Sequence, residues 1–209
     1  MKNKVDYSLY LVTNSDNKTN EEFLNIIEES ILGGVTVVQI REKKIPTRDF
    51  YNLAIEVKKI TDNYGVPLIV NDRIDVALSI DAAGVHVGQS DLPADVVRTI
   101  IGEDKILGVS AATIEEMKKA EEDGADYIGT GAIFPTQTKD ADCIAIDYLK
   151  KLVDAVKIPV IAIGGLNKNN ITSLANTNIK GISVVSAIMD SNNPKIASEL
   201  LKKKFDSMN

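Results

Sequence analysis

Apolar positions along the 209-residue chain fall into two alternating textures. Short β-rich runs such as LYLVT, VVQI, LIVN and VIAI are separated by longer stretches whose apolar residues recur every three to four positions. The first texture predicts buried strands and the second amphipathic helices. Strands are expected over 7–13, 35–40, 67–71, 84–88, 105–110, 127–131, 159–164 and 181–187. Helices are expected over 20–32, 47–63, 73–80, 93–101, 113–122, 146–156, 169–176 and 194–205. The stretch TIEEMKKAEEDG has the clearest boundaries: Thr113 caps, Glu116 completes a capping box, and Gly124 stops the helix.

Strictly alternating strands and helices imply a parallel sheet with helical crossovers. Eight such units are the number that closes a (β/α)8 TIM barrel. The competing architecture is an open doubly wound sheet, whose first strand usually runs into a Gly-rich G-x-G-x-x-G turn. Here the corresponding stretch, LYLVTNSDNKTNEE, contains no glycine. No linker, low-complexity tract or shift in composition breaks the series, so residues 1–209 are read as a single α/β domain of the barrel type.

Composition narrows the partners. The chain is 44% hydrophobic and 26% charged, an ordinary globular balance. Its net charge of −6 argues against nucleic acid, which calls for a clustered basic footprint. No apolar run approaches the roughly 20 residues of a membrane span, and MKNKVDYSLYLVT has no signal-like apolar segment ahead of a cleavage site. The one cysteine, Cys143, excludes an internal disulfide and favours a reducing compartment; with no evident base beside it, it reads as an inert thiol. A soluble cytoplasmic protein fits these limits, with no membrane and no nucleic acid as partner; an anionic substrate would have to be met locally, by a few Lys and Arg or by a metal.

In barrel enzymes the chemistry sits at the C-terminal ends of the strands. The second strand ends in VVQIREK. Residues two apart share a face, so Gln39, Arg41 and Lys43 point one way, and Val38 and Ile40 pack the other way against helices. Two cations facing the barrel mouth call for an anion, or for neighbouring carboxylates such as Glu42. The third and fourth strands end in VNDR and GQSD, bringing Asn71, Asp72 and Asp91 to adjacent positions. Such hard oxygen donors suit Mg²⁺, which takes one or two protein carboxylates and completes its shell with phosphate and water. The alternative is local: Asp91 could begin the next helix and Asp72 could pair with Arg73.

Ser110 ends the fifth strand, where it could meet a phosphate or cap a helix. After the sixth strand comes FPTQTKD, residues 134–140, which gathers Thr136, Thr138 and Lys139 in a loop. Polar residues fill many loops; here they can also hold an anion. The seventh strand ends in IAIGGLN, where Gly164 and Gly165 let backbone N–H groups approach a ligand, and the eighth ends in VVSAI with Ser186. Loops after the last two strands form the recurrent phosphate site of this fold. Two anion sites emerge: a glycine-lined one sized for a monophosphate, and a group with cations and carboxylates suited to a diphosphate. His86, in GVHVG, could be an acid–base, although a hydrogen-bonded residue of the barrel interior is the better expectation.

QIREK, NDR, HVGQSD, GVSAAT, GTGAIFPTQTK, IAIGGL and VVSAI resemble, in order, the sequence blocks of the thiamine phosphate synthase family. The resemblance runs over about 10–188. It implies a TIM-barrel transferase that joins a hydroxymethyl-aminopyrimidine diphosphate to thiazole phosphate with Mg²⁺ and releases pyrophosphate. It further implies that Gln39, Ile40, Arg41, Glu42, Lys43, Asn71, Ser110 and Lys139 bind the pyrimidine diphosphate. Asp72 and Asp91 would bind Mg²⁺. Thr136, Gln137, Thr138, Gly165, Val185 and Ser186 would hold the thiazole phosphate, and Lys139 and Arg41 would stabilise the leaving diphosphate. Two positions depart from the family pattern: Ala132 where proline is expected, and Ala112 where histidine is common. A related thiazole tautomerase shares the fold but has no use for a metal pair, and a non-catalytic phosphate-binding barrel is the other alternative.

Overall fold

The computed structural model describes residues 5–136 and 142–208. Its frame is eight short strands: β1 Leu9–Val12, β2 Val37–Ile40, β3 Leu68–Asn71, β4 Gly84–Val87, β5 Ile106–Ser110, β6 Tyr127–Thr130, β7 Val160–Ile163 and β8 Gly181–Val184. Every neighbouring pair is parallel, and β8 returns to β1, with Ser183 opposite Tyr10. This is the closed (β/α)8 barrel expected from the alternation of elements.

The crossovers carry α1 Asn20–Leu32, α2 Thr47–Asn63, α3 Ile74–Ser79, α4 Ala94–Ile101, α5 Ile114–Glu122 and α6 Ile146–Asp154. After β8 come α7 Ser186–Met189 and α8 Pro194–Asp206. Helix α5 starts as its sequence predicts: Glu116 N–H donates to the Thr113 hydroxyl at 3.2 Å, and the Glu116 carboxylate accepts from Thr113 N–H at 3.3 Å. A second capping box, Thr19 with Glu22, opens α1.

Two expected elements differ. The helix over 169–176 is only a 3-10 turn, Ile171–Leu174. Asn167, Asn170 and Ser173 bond the local backbone there, and such bonds compete with an α-helical ladder. The strand over 181–187 stops at Val184, because the Val185 carbonyl already accepts from Ile188 and Met189 as α7 begins.

Side-chain alternation along the strands divides the interior in two. Leu9, Leu11, Val38, Ile40, Val70, Val85, Leu107, Val109 and Ile182 face outward, into the layer packed by the helices. Phe23 and Ile27 of α1, Phe50 and Val57 of α2, and Leu201 and Phe205 of α8 fill that layer from the other side. Tyr7, Tyr10, Val12, Val37, Ile69, Ile106, Tyr127 and Ile161 fill the barrel itself. Among the described residues no helix is long and apolar enough to cross a membrane.

Removing the α5 cap tests the helix boundary. Thr113→Ala should destabilise the protein by about 1 kcal/mol, the usual scale for losing such a cap. The check is a shift of the urea midpoint with an unchanged m-value.

Candidate active site

At the C-terminal ends of the strands a cavity of about 500 Å³ descends into the barrel. Its wall includes Gln39, Arg41 and Lys43 from β2 and the segment after it, Asn71 and Asp72 from the β3 end, and Asp91 after β4. Ser110, Thr136, Gly165, Val185 and Ser186 line the same cavity. Next to it lies a second recess of about 810 Å³ that shares Arg41, Lys43, Thr136, Gly165, Val185 and Ser186 and adds Asn14 to Asn17, Glu42 and Lys44. Residues expected at two separate anion sites thus meet around one continuous mouth.

The β2 end obeys strand parity. Ile40 is fully buried in the outer apolar layer, so its side chain does not reach the cavity. Gln39 faces inward but is 4% exposed and donates from its Nε2 to the Tyr10 hydroxyl at 2.8 Å. It sits on the cavity floor, below the mouth where Arg41 and Lys43 lie. Arg41 N–H donates to the Thr13 hydroxyl at 3.1 Å, which ties the β2 end to the end of β1. Glu42 points to the other side, accepting from the Ser15 hydroxyl at 2.8 Å, and lines only the second recess. Burial holds its carboxyl above the ordinary carboxylate range, against the pull of the Ser15 bond.

The two carboxylates occupy different local settings. Asp72 adopts a left-handed backbone, φ 60°, and its N–H donates to the His86 carbonyl at 2.9 Å. Its carboxylate makes an ion pair with Lys43. Arg73, the alternative partner considered from sequence, instead grips Asp75 through Nε at 2.8 Å. Asp91 does not cap the next helix, whose N-cap is Pro93; its carboxylate accepts from Gly88 N–H at 2.7 Å. Both carboxylates border the cavity, and no cluster of three or more His, Cys, Asp or Glu suited to a metal occurs among the described residues. A donor set of two carboxylates fits an ion whose remaining sites are filled by phosphate and water, and does not fit an all-protein cage.

On the far side the loops are built on glycine. Gly164 and Gly165 have φ of 101° and 63°, a region that side chains rarely adopt. A Cβ on Gly165 would lie 2.6 Å from the Pro135 carbonyl oxygen and 2.7 Å from that of Phe134. The loop after β7 can therefore lie directly against the segment leading to Thr136 only with glycine at 165. Gln137, Thr138 and Lys139 lie outside the described residues.

Sequence reasoning brought Gln39, His86 and Ser110 to the barrel interior but missed the two tyrosines of the floor. Tyr10 and Tyr127 face into the barrel, joined by a hydroxyl–hydroxyl hydrogen bond of 2.7 Å. His86 lies beside them with Nδ1 3.0 Å from the Tyr127 hydroxyl and Nε2 2.9 Å from the Ser110 hydroxyl. The available signal was parity: Tyr10 and Tyr127 stand at inward positions that apolar residues would otherwise fill. Gln89, whose Nε2 donates to the Ser110 carbonyl at 2.7 Å, and Glu116 also line the cavity and carried no motif.

With this geometry in place, comparison with known proteins is decisive. Residues 9–188 match the model of the family described as thiamine monophosphate synthase. The chain belongs to that family. The thiamine-phosphate synthase of Methanobrevibacter smithii is 62% identical over 208 residues, covering 99% of both chains. That of Clostridium tetani is 53% identical over 208 residues, covering 99% of this chain and 100% of its own. Among solved structures, the thiamine phosphate pyrophosphorylase of Pyrococcus furiosus superposes with a TM-score of 0.90 at 38% identity, over 98% of each chain. Membership of the thiamine monophosphate synthase family makes this barrel a transferase of thiamine biosynthesis.

The site owes its floor to Gly108. A Cβ there would lie 2.2 Å from the Tyr127 ring and 2.5 Å from His86 Nδ1. Gly108→Ala should destabilise the fold by about 1–3 kcal/mol, the scale of overpacking a core. It should also lower turnover, because it separates Tyr127 from His86. Thermal denaturation and steady-state assay of the purified variant check both.

Proposed function

We infer that the barrel mouth joins an aminopyrimidine diphosphate to thiazole phosphate, forming thiamine phosphate and pyrophosphate by dissociative loss of the diphosphate. The observation that carries this reading is the convergence of Arg41, Lys43, Asp72 and Asp91 on a cavity that Gly165, Val185 and Ser186 also line. Cations beside carboxylates suit a diphosphate, and a glycine-built loop on the cavity wall suits a monophosphate.

In this reading Arg41 and Lys43 bind the diphosphate, joined by Lys139. Asn71 and Ser110 add neutral donors. Asp72 and Asp91 would hold Mg²⁺. Bound there, the ion would neutralise charge on the diphosphate oxygens as the leaving group departs. Thr136, Gln137, Thr138, Gly165, Val185 and Ser186 hold the thiazole phosphate, so that the thiazole nitrogen faces the pyrimidine methylene. Once the carbon–oxygen bond to the diphosphate breaks, the electron-rich aminopyrimidine carries the positive charge at that methylene, and the thiazole nitrogen supplies the pair for the new carbon–nitrogen bond. No protein nucleophile takes part. Exposed Cys143 has no role, and the cytoplasm is the compartment consistent with an unpaired thiol. A tautomerase would have no use for the paired carboxylates.

The assay that tests this supplies both substrates with and without Mg²⁺ and follows thiamine phosphate and pyrophosphate. Asp72→Asn and Asp91→Asn should each lower turnover strongly and raise the Mg²⁺ concentration required. Unchanged Mg²⁺ dependence in both variants would remove the metal assignment.

Lys139→Ala should impair the chemical step itself. Charge grows on the diphosphate as its bond breaks, so an ammonium there stabilises the transition state more than the ground state. A loss of about 10²–10³ in rate is the scale for one such contact. Single-turnover measurements with both substrates saturating isolate that step. A variant that matched wild type under those conditions, differing only in KM, would reduce the lysine to a recruiter of anions.

A further inference from the structure

The cavity floor holds a continuous run of hydrogen bonds: Gln39 Nε2 to the Tyr10 hydroxyl at 2.8 Å, Tyr10 to Tyr127 at 2.7 Å, Tyr127 to His86 Nδ1 at 3.0 Å, and His86 Nε2 to the Ser110 hydroxyl at 2.9 Å. It crosses the barrel from β2 through β1, β6 and β4 to β5. Its space is made by backbone: a Cβ on Gly108 would strike both Tyr127 and His86, and one on Gly129 would lie 3.2 Å from His86 Cε1.

A phenol has one proton to give and an amide nitrogen can only give. With the Gln39 amide nitrogen donating into the Tyr10 oxygen, the Tyr10 proton has to pass onward. If Tyr127 donated to Tyr10 instead, the Tyr10 O–H would be left without an acceptor at a residue that is 2% exposed. Leaving a buried donor unmet costs more than any single bond in the chain gains. Tyr10 therefore donates to Tyr127, and the Tyr127 proton goes to His86 Nδ1. That nitrogen is then an acceptor, the imidazole proton sits on Nε2, and Nε2–H donates to Ser110. Ser110 has its own proton left over, facing the cavity. Burial raises the Tyr10 and Tyr127 phenols far above their usual range, so both retain the protons this direction requires.

We propose that Gln39, Tyr10, Tyr127 and His86 form a hydrogen-bond relay of one polarity that locks the Nε2–H tautomer of His86 and thereby presents the Ser110 hydroxyl to the cavity as a donor for the leaving diphosphate. Tyr10, Tyr127 and His86 are positioning residues: they act through Ser110. The role toward the diphosphate rests on the assignment of Ser110 made above, whereas the polarity is a property of the ligand-free protein.

The chain has one histidine, so tag-free enzyme labelled with ¹⁵N-histidine gives a single imidazole to observe. In the ligand-free wild type, Nε2 should carry the proton and Nδ1 should resonate as a hydrogen-bonded, unprotonated nitrogen. Any other pattern overturns the polarity, whatever the enzyme's activity. In Tyr127→Phe the Nδ1 resonance should leave its hydrogen-bonded position; an unmoved Nδ1 removes Tyr127 from the relay. Kinetics test the functional half. Tyr127→Phe should lower kcat about 10- to 100-fold, the scale for residues that orient a contacting group. The KM for thiazole phosphate should not change. Combined with Ser110→Ala, Tyr127→Phe should add nothing further, because its effect passes through the missing hydroxyl. Additive losses would assign Tyr127 a merely structural part and sink the proposal. If Tyr127→Phe does not fold, Tyr10→Phe replaces it in the cycle, and the wild-type spectrum still decides the polarity.

Discussion

Closure of the sheet between β8 and β1 is the constraint from which the rest of this molecule follows. With Ser183 opposite Tyr10, each strand has a neighbour on both sides and each inward side chain is confined with those of the other strands. Among the described strands no edge remains. The interior then has to be filled, and it is filled unevenly. Val37, Ile69, Ile106 and Ile161 pack its core, whereas Gln39, Asn71, His86 and Ser110 occupy inward positions that meet the cavity. The functional site is the part of the barrel left open above that packing.

A polar floor inside a barrel demands that its members satisfy one another, since an unmet buried donor or acceptor is expensive. The run from Gln39 to Ser110 meets this demand with one bond per junction. Glycine at 108 and 129 gives the rings their space, so the backbone and the network are designed together. The same logic operates at the rim. Asp72 takes a left-handed backbone at the end of β3, and Gly165 lets one loop lie against another without a Cβ between their backbones.

Some of the charged groups at the mouth have local partners. Lys43 pairs with Asp72, and Asp91 accepts from the backbone at Gly88, so cation and carboxylates are held in place before any ligand arrives. Pre-positioned charge is the form in which electrostatics aids a reaction that develops charge on a leaving group. An overall net charge of −6 does not oppose this, because the binding of an anionic substrate is decided within the cavity.

Periodicity determined the alternation of eight strands with helices and which residues of β2 turn outward, because hydrophobic spacing reports the local backbone and burial directly; the count of eight and the missing Gly-rich turn pointed to the closed barrel. It also brought Arg41, Lys43, Asp72, Asp91 and Ser186 to strand ends, since in this fold the strand end is the site. Tertiary structure decided what no local pattern encodes. Residues 29 to 117 positions apart meet on the floor, Gln39 with Tyr10 and Tyr10 with Tyr127, through a register set by all eight strands together. It decided that Asp72 pairs with Lys43, 29 positions away, while the adjacent Arg73 takes Asp75. It also ended β8 at Val184, where a carbonyl shared with α7 outcompetes a β-rich sequence. Such outcomes depend on where side chains point once the barrel has closed, and that direction is a property of the assembled sheet.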